Sequence, residues 1–185
     1  VKPNDSRIFT IDDDWVDSGN YKVFNVDIES TSEFDVPFTR VDLERITKIP
    51  ILGIIGRNYS GHTLLSSQSP KSAVFEGFRA LRSNLNFFNP SSDTKVYLVT
   101  SSISGEGKTY IAENLGIVFA KSGKKTIVIG ADLRRPKIYS DFNLSNNVGI
   151  SNYLTKDISL STLIKASEIE NLDVLVSGPL PQNPS

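Results

Sequence analysis

The chain has 185 residues, 38% of them apolar and 22% charged, with no cysteine. That content supports a packed core and excludes a disulfide framework and any thiolate metal site. The net charge of -1 hides an asymmetry: residues 1–45 hold eleven Asp and Glu against five Lys and Arg, and the rest carries a net +5, which points to two differently built parts.

Residues 1–40 read as an acidic, polar segment or linker with isolated aromatics, and a weak strand is expected around Tyr21–Ile28. Asp12, Asp13 and Asp14 invite a cation-site reading, but no loop of Ca2+-binding spacing follows, which favours a solvated linker. Asp42–Thr47 fits a short helix, Pro50–Gly56 a short buried strand or an apolar plug, and Ser60–Pro70 a loop in which His62 is a surface residue. The longest apolar stretch, Ile49–Gly56, is broken by Pro50 and falls well short of the roughly 20 residues that cross a bilayer. No basic start leads into an apolar secretory core, so the sequons at Asn58 and Asn143 carry no meaning. The absence of methionine and an end at Ser185 just after an apparent strand read as a piece of a longer protein.

Between Ser72 and Phe88, Val74, Phe78, Leu81, Leu85 and Phe88 step by four and three, the apolar stripe of a helix that Pro90 ends. Glu76, Arg79 and Arg82 step by three along a neighbouring face. From spacing alone this is a solvated face with a local Glu76–Arg79 pair.

Val96–Val99 is a continuous apolar run, the pattern of a parallel strand buried on both faces. From Gly107 the period changes: Ile111, Leu115, Val118 and Phe119 mark one face of a helix, with Gly123 as its left-handed cap. Thr126–Ile129 then reads as a second strand, parallel to the first after a crossover helix. Gly149–Leu154 and Leu160–Ala166 look helical, and Leu172–Ser177 reads as a third strand ending in a rigid loop from Gly178.

The chemistry sits in the turn Ser102-Ile-Ser-Gly-Glu-Gly-Lys-Thr109. Gly105 and Gly107 permit backbone conformations that let successive N–H groups cradle a polyphosphate at a helix N-terminus. Lys108 then reaches the β- and γ-phosphates and the Thr109 hydroxyl ligates Mg2+. The predicted nucleotide contacts are Ser104, Gly105, Glu106, Gly107, Lys108, Thr109 and Tyr110, with ATP and Mg2+ as cofactors. Ser102 stands where the usual pattern has its first glycine. If the two strands are parallel neighbours, Asp132 emerges on the same sheet edge, where a carboxylate can hold Mg2+ or polarise an attacking hydroxyl. Lys108 and Asp132 are the expected catalytic pair, and Thr109 and Asp132 the expected metal ligands.

SSISGEGKT, followed by IVIGADLRRPK and SGPLPQNPS, resembles the cytoplasmic catalytic domain of the bacterial tyrosine kinases of capsule and exopolysaccharide assembly. The resemblance covers roughly Val41–Ser185. It includes VDLERITKIPILGIIG as a lead-in and KSAVFEGFRALRSNLNFF as the helix whose Glu76, Arg79 and Arg82 match the motif that joins subunits of that family into a ring. The fold it implies is α/β, a P-loop NTPase-like, mostly parallel sheet flanked by helices, here truncated at the C-terminus. The implied function is an ATP-dependent protein-tyrosine autokinase that regulates polysaccharide polymerisation and export. Its implied partners are ATP, further copies of itself and the polysaccharide-export membrane machinery, with no nucleic acid, at the cytoplasmic face of the inner membrane.

Three departures stand out. Gly130-Ala-Asp132 replaces the family's Asp-x-Asp, so one carboxylate is missing. The family's later metal-binding strand and tyrosine cluster would fall beyond Ser185, which makes the 185-residue piece inactive by itself. Residues 1–40 are acidic and polar where many members have a membrane helix. Two alternatives remain. A positioning or partition ATPase would carry an extra lysine where Ile103 stands, and a nucleotide-binding assembly module without phosphotransfer is suggested by Gly130.

Overall fold

The computed structural model describes residues 41, 44–45, 48–88, 94–101, 105–156 and 158–180. The acidic segment, the weak strand expected around Tyr21–Ile28, Pro90 and the last five residues lie outside them. Val41, Glu44 and Arg45 are helical, and the remainder of the expected Asp42–Thr47 helix is outside the described residues. The chain forms two compact units: residues up to Ser60 together with Pro70–Lys108, and Gly61–Ser69 together with Thr109 onward.

In the first unit, helix α1 spans Ala73–Phe88. The Ser72 hydroxyl accepts a hydrogen bond from the Phe75 N–H at 3.2 Å, satisfying one of the donors a helix start leaves open. Val74, Phe75, Phe78, Leu81 and Leu85 are buried, the stripe expected from their spacing with Phe75 added. Full burial of a side chain such as Phe78 contributes roughly 2–3 kcal/mol. The segment before α1 packs on it as an apolar plug and not as a strand. Leu52 is buried, its carbonyl accepts from the Asn84 amide, and Gly77 leaves room for the Ile54 carbonyl and the Ile55 side chain.

Residues 95–100 do not form the buried strand expected of Val96–Val99: they belong to no ladder, and Val96 and Leu98 are 84% and 68% exposed. An apolar run records what a strand can bury; its ladder must come from a neighbour, and local sequence does not name one.

The second unit is built on a sheet. Helix α2, Lys108–Lys121, leads to β1, Thr126–Ile129, through a turn in which Gly123 adopts φ +82° and its N–H bonds the Ala120 carbonyl. Next come α3, Ile138–Asp141, α4, Ile150–Thr155, α5, Leu160–Leu163, β2, Lys165–Ala166, and β3, Leu172–Leu175. Among the described residues the sheet order is β1-β3-β2. Strand β1 runs parallel to β3 with Ile129 opposite Leu175, and β2 runs antiparallel to β3 with Lys165 opposite Val174.

The described sheet carries an antiparallel edge, because the two-residue β2 returns along β3, while β1 and β3 pair parallel over four residues. One expectation changes here. The helix expected over Leu160–Ala166 stops at Leu163: Ile164 turns extended at ψ 126°, and the next two residues gain ladder bonds that a helix would deny them.

Helix α2 is buried around most of its girth, from Ile111 through Ala120 save Ala112, and not along one stripe. A Cβ on Gly116 would lie 2.4 Å from Val128 Cγ2, so glycine there sets how closely α2 approaches β1. The Ser60–Pro70 loop contains a single 3-10 turn, Leu65–Ser67, with Leu65 fully buried. Asn114 of α2 anchors it: the Leu65 N–H donates to Asn114 Oδ1 at 2.7 Å, and Asn114 Nδ2 donates to the Thr63 carbonyl at 3.0 Å. His62 is exposed, as expected.

Candidate functional site

The glycine turn has the backbone its sequence requires. Gly105 and Gly107 both sit at φ +93°, a region that strains any residue with a Cβ, and a Cβ on Gly105 would meet nothing within 4 Å. The chain then enters α2 at Lys108, so the first N–H groups of that helix lack intrahelical partners. Lys108 is half-buried and its ammonium donates to the Ser101 hydroxyl at 2.6 Å. Glu106, Thr109 and Tyr110 are half-buried as well, and the Tyr110 carbonyl accepts from Asn114 Nδ2 at 2.8 Å. Ser104, like Ser102, lies outside the described residues.

Asp132 belongs to the second unit. Because Ile129 pairs with Leu175 in parallel register, Asp132 and Gly178 each stand three residues beyond the carboxyl end of adjacent strands. That is the edge where open α/β sheets hold ligands. Asp132 Oδ1 accepts the Arg134 and Arg135 N–H groups, both at 2.9 Å, so the side chain caps its own turn and holds a set orientation. Arg134 and Arg135 are exposed. Gly130 continues the ladder through its N–H to the Leu175 carbonyl at 2.8 Å, and a Cβ there would lie 3.4 Å from the Ile138 side chain. A Cβ at 130 would thus meet Ile138 in ordinary van der Waals contact.

The neighbouring turn after β3 is held by residues that the sequence reading passed over. Asn146 grips Gly178 from both sides, Nδ2 donating to its carbonyl and Oδ1 accepting its N–H, each at 2.8 Å. The Ile150 and Ser151 N–H groups donate to the Val176 and Ser177 carbonyls. These bonds keep Gly178 at φ +81°. The available signal was the pair Asn146-Asn147 before Gly149, but an asparagine's long-range partner is not written in its neighbours.

Glu76, Arg79 and Arg82 lie on α1. Arg79 makes a 2.6 Å ion pair with Glu76 and stacks over the Phe75 ring at 4.8 Å. Both members of the pair are about half exposed, so it contributes only tenths of a kcal/mol. Among the described residues, no group of three or more His, Cys, Asp and Glu side chains is placed to hold a metal, and no helix is long and apolar enough to cross a membrane.

No family model matches the chain. Individual proteins do. It is 41% identical over 122 residues to the tyrosine-protein kinase YwqD of Bacillus subtilis, covering 66% of this chain and 52% of that protein. Among solved structures, the chimerical protein CapA2B2 matches 79% of this chain and 63% of its own at 40% identity, with a TM-score of 0.70. The kinase domain of Escherichia coli tyrosine kinase ETK matches 70% of this chain and 50% of its own at 31% identity, with a TM-score of 0.62. The architecture is thus the mixed α/β arrangement of bacterial tyrosine-kinase domains. These matches support a fragment of the bacterial tyrosine-kinase family. It spans about half the length of the Bacillus relative.

Proposed function

We propose that this chain is part of an ATP-dependent protein-tyrosine autokinase, of P-loop type, that regulates the polymerisation and export of a capsular or extracellular polysaccharide. The observation that carries the reading is the Gly-Glu-Gly-Lys-Thr turn with both glycines left-handed at the head of α2, in a chain 41% identical to a tyrosine-protein kinase. Bound Mg-ATP supplies the transferable phosphoryl group and the cation that neutralises its charge. Gly105 and Gly107, left-handed and without a Cβ, suit a polyphosphate cradle in this reading. Lys108, whose ammonium donates to Ser101, neutralises the β- and γ-phosphates in this reading. Thr109 and Asp132 are the metal's protein ligands in this reading, and Asp132, oriented by its own turn, also polarises the incoming tyrosine hydroxyl. Ser104, Glu106 and Tyr110 flank the phosphates.

The reading places the protein at the cytoplasmic face of the membrane, in contact with the export machinery, with copies meeting through Glu76, Arg79 and Arg82. There the arginines fix orientation more than they add affinity. Replacing Arg79 and Arg82 by alanine is expected to leave a folded protein of lower mass; an unchanged mass by light scattering, for an oligomeric parent, returns the helix to a solvated face.

The deciding experiment is phosphotyrosine detection after the full-length gene product is incubated with Mg-ATP. The parent is expected to label itself, and Asp132→Asn to lose at least about 90% of the signal while still binding nucleotide, the loss appropriate to a group acting in phosphoryl transfer. A folded, ATP-binding parent that makes no phosphotyrosine, even with its membrane partner supplied, overturns the kinase reading. The nucleotide-binding assembly module then replaces it, a role suggested by Gly130 standing where the family carries a carboxylate.

A further inference from the structure

Ser101 precedes the glycine turn and is not among the nucleotide contacts expected from the sequence, which begin at Ser104. It lies seven positions before Lys108, on the other side of Gly105-Glu106-Gly107, and its hydroxyl accepts a hydrogen bond from the Lys108 ammonium at 2.6 Å. Both residues are half-buried. An ammonium carries three hydrogens, so this bond occupies one of them and does not keep phosphate oxygens from the others. Lysine is otherwise a point charge on a flexible four-carbon stem, and a stem already held in place loses less freedom when a ligand arrives. The chemistry of the acceptor matters as well. A carboxylate in this position would cancel the charge that a phosphate needs, whereas a neutral hydroxyl directs the ammonium and leaves its charge intact.

We propose that Ser101 is a positioning residue of the phosphate loop, holding the Lys108 ammonium where it meets the β- and γ-phosphates of a nucleoside triphosphate. The inference rests on the phosphate-loop reading above and adds to it a residue outside the Gly-Lys-Thr motif. Ser101 acts through Lys108, so its effect on binding disappears once the lysine is gone. The bond is kept when nucleotide binds, so loss of the hydroxyl weakens affinity. A hydroxyl that competed with phosphate for the ammonium would give the opposite sign.

The test is titration calorimetry of the full-length gene product with Mg-ATP, on the parent, Ser101→Ala, Lys108→Ala and the double variant, each checked for folding by its melting transition. Ser101→Ala is expected to weaken binding by roughly 3- to 10-fold, the worth of one hydrogen bond, and Ser101→Thr, which keeps the hydroxyl, to bind nearly as the parent does. In the Lys108→Ala background the same serine change is expected to cause no further loss. Equal losses in the two backgrounds would show that the serine acts independently of the lysine and overturn the proposal, as would tighter binding by Ser101→Ala. Should Lys108→Ala weaken binding while Ser101→Ala keeps the parental affinity, the phosphate-loop reading stands and the positioning role falls. If Lys108→Ala itself changes nothing, both fall together. Ser101→Cys, close in shape but a weak acceptor, serves if the alanine variant does not fold, and parental affinity there also overturns the proposal.

Discussion

Lys108→Ala is expected to weaken Mg-ATP binding by roughly 10- to 100-fold, the worth of a charge-assisted bond to phosphate, and to leave the fold intact. The side chain is half-buried, and its ammonium donates to the Ser101 hydroxyl. Gly105 and Gly107 reach their φ of +93° through the freedom of their own backbone. Titration calorimetry on the parent and the variant measures the difference. Equal affinities would remove the phosphate-loop assignment, because a backbone cradle without its cation would then account for all the binding.

The largest stability effect is expected at Asn114. This side chain has no exposed surface and makes three hydrogen bonds, accepting from the Leu65 N–H and donating to the Thr63 and Tyr110 carbonyls. Asn114→Ala strands a buried N–H and removes two donors at once, which costs about 3 kcal/mol. The expected consequence is a lower urea midpoint with an unchanged slope, and release of the Leu65–Ser67 turn from α2. A loss below about 1 kcal/mol would mean that water replaces the amide and that the loop is held by burial of Leu65 instead.

The two variants probe different levels of the same helix. Lys108 sits at its first position, in the proposed phosphate loop, and Asn114 in its middle, where the helix holds a distant loop. Glu113 adds a fully buried acid, its carboxyl pushed up to about 9, first by burial and then by Asp141. A helix that reads as one apolar stripe with polar residues elsewhere is in fact enclosed, and its polar residues are the connectors.

Much was legible from local pattern. Helix α1 follows from the four-and-three spacing of Val74, Phe78, Leu81 and Leu85; α2, its Gly123 cap, β1 and β3 follow from equally local signals. The left-handed glycines at 105 and 107 follow from a motif whose chemistry demands them. Each depends on interactions among residues a few positions apart, so a short window carries the whole cause.

Tertiary structure decided the rest because the partners are remote in sequence. Whether Val96–Val99 joins a ladder, and that β3 is the parallel neighbour of β1, depend on which strand arrives beside which. Leu160–Ala166 is apolar enough for a helix until β3 offers Lys165 and Ala166 ladder bonds. Asn114 meets Leu65 and Asn146 meets Gly178 across 49 and 32 positions, and the proton load of Glu113 depends on Asp141 and on how much of α2 the fold encloses. The sequence by itself determined α1, α2, β1, β3 and the left-handed glycines of the turn, since these are written in short-range sterics and periodicity. Only packing decided the sheet order, the anchoring of the loops and the protonation of a buried acid, since burial and desolvation are properties of the assembled core and not of any one segment.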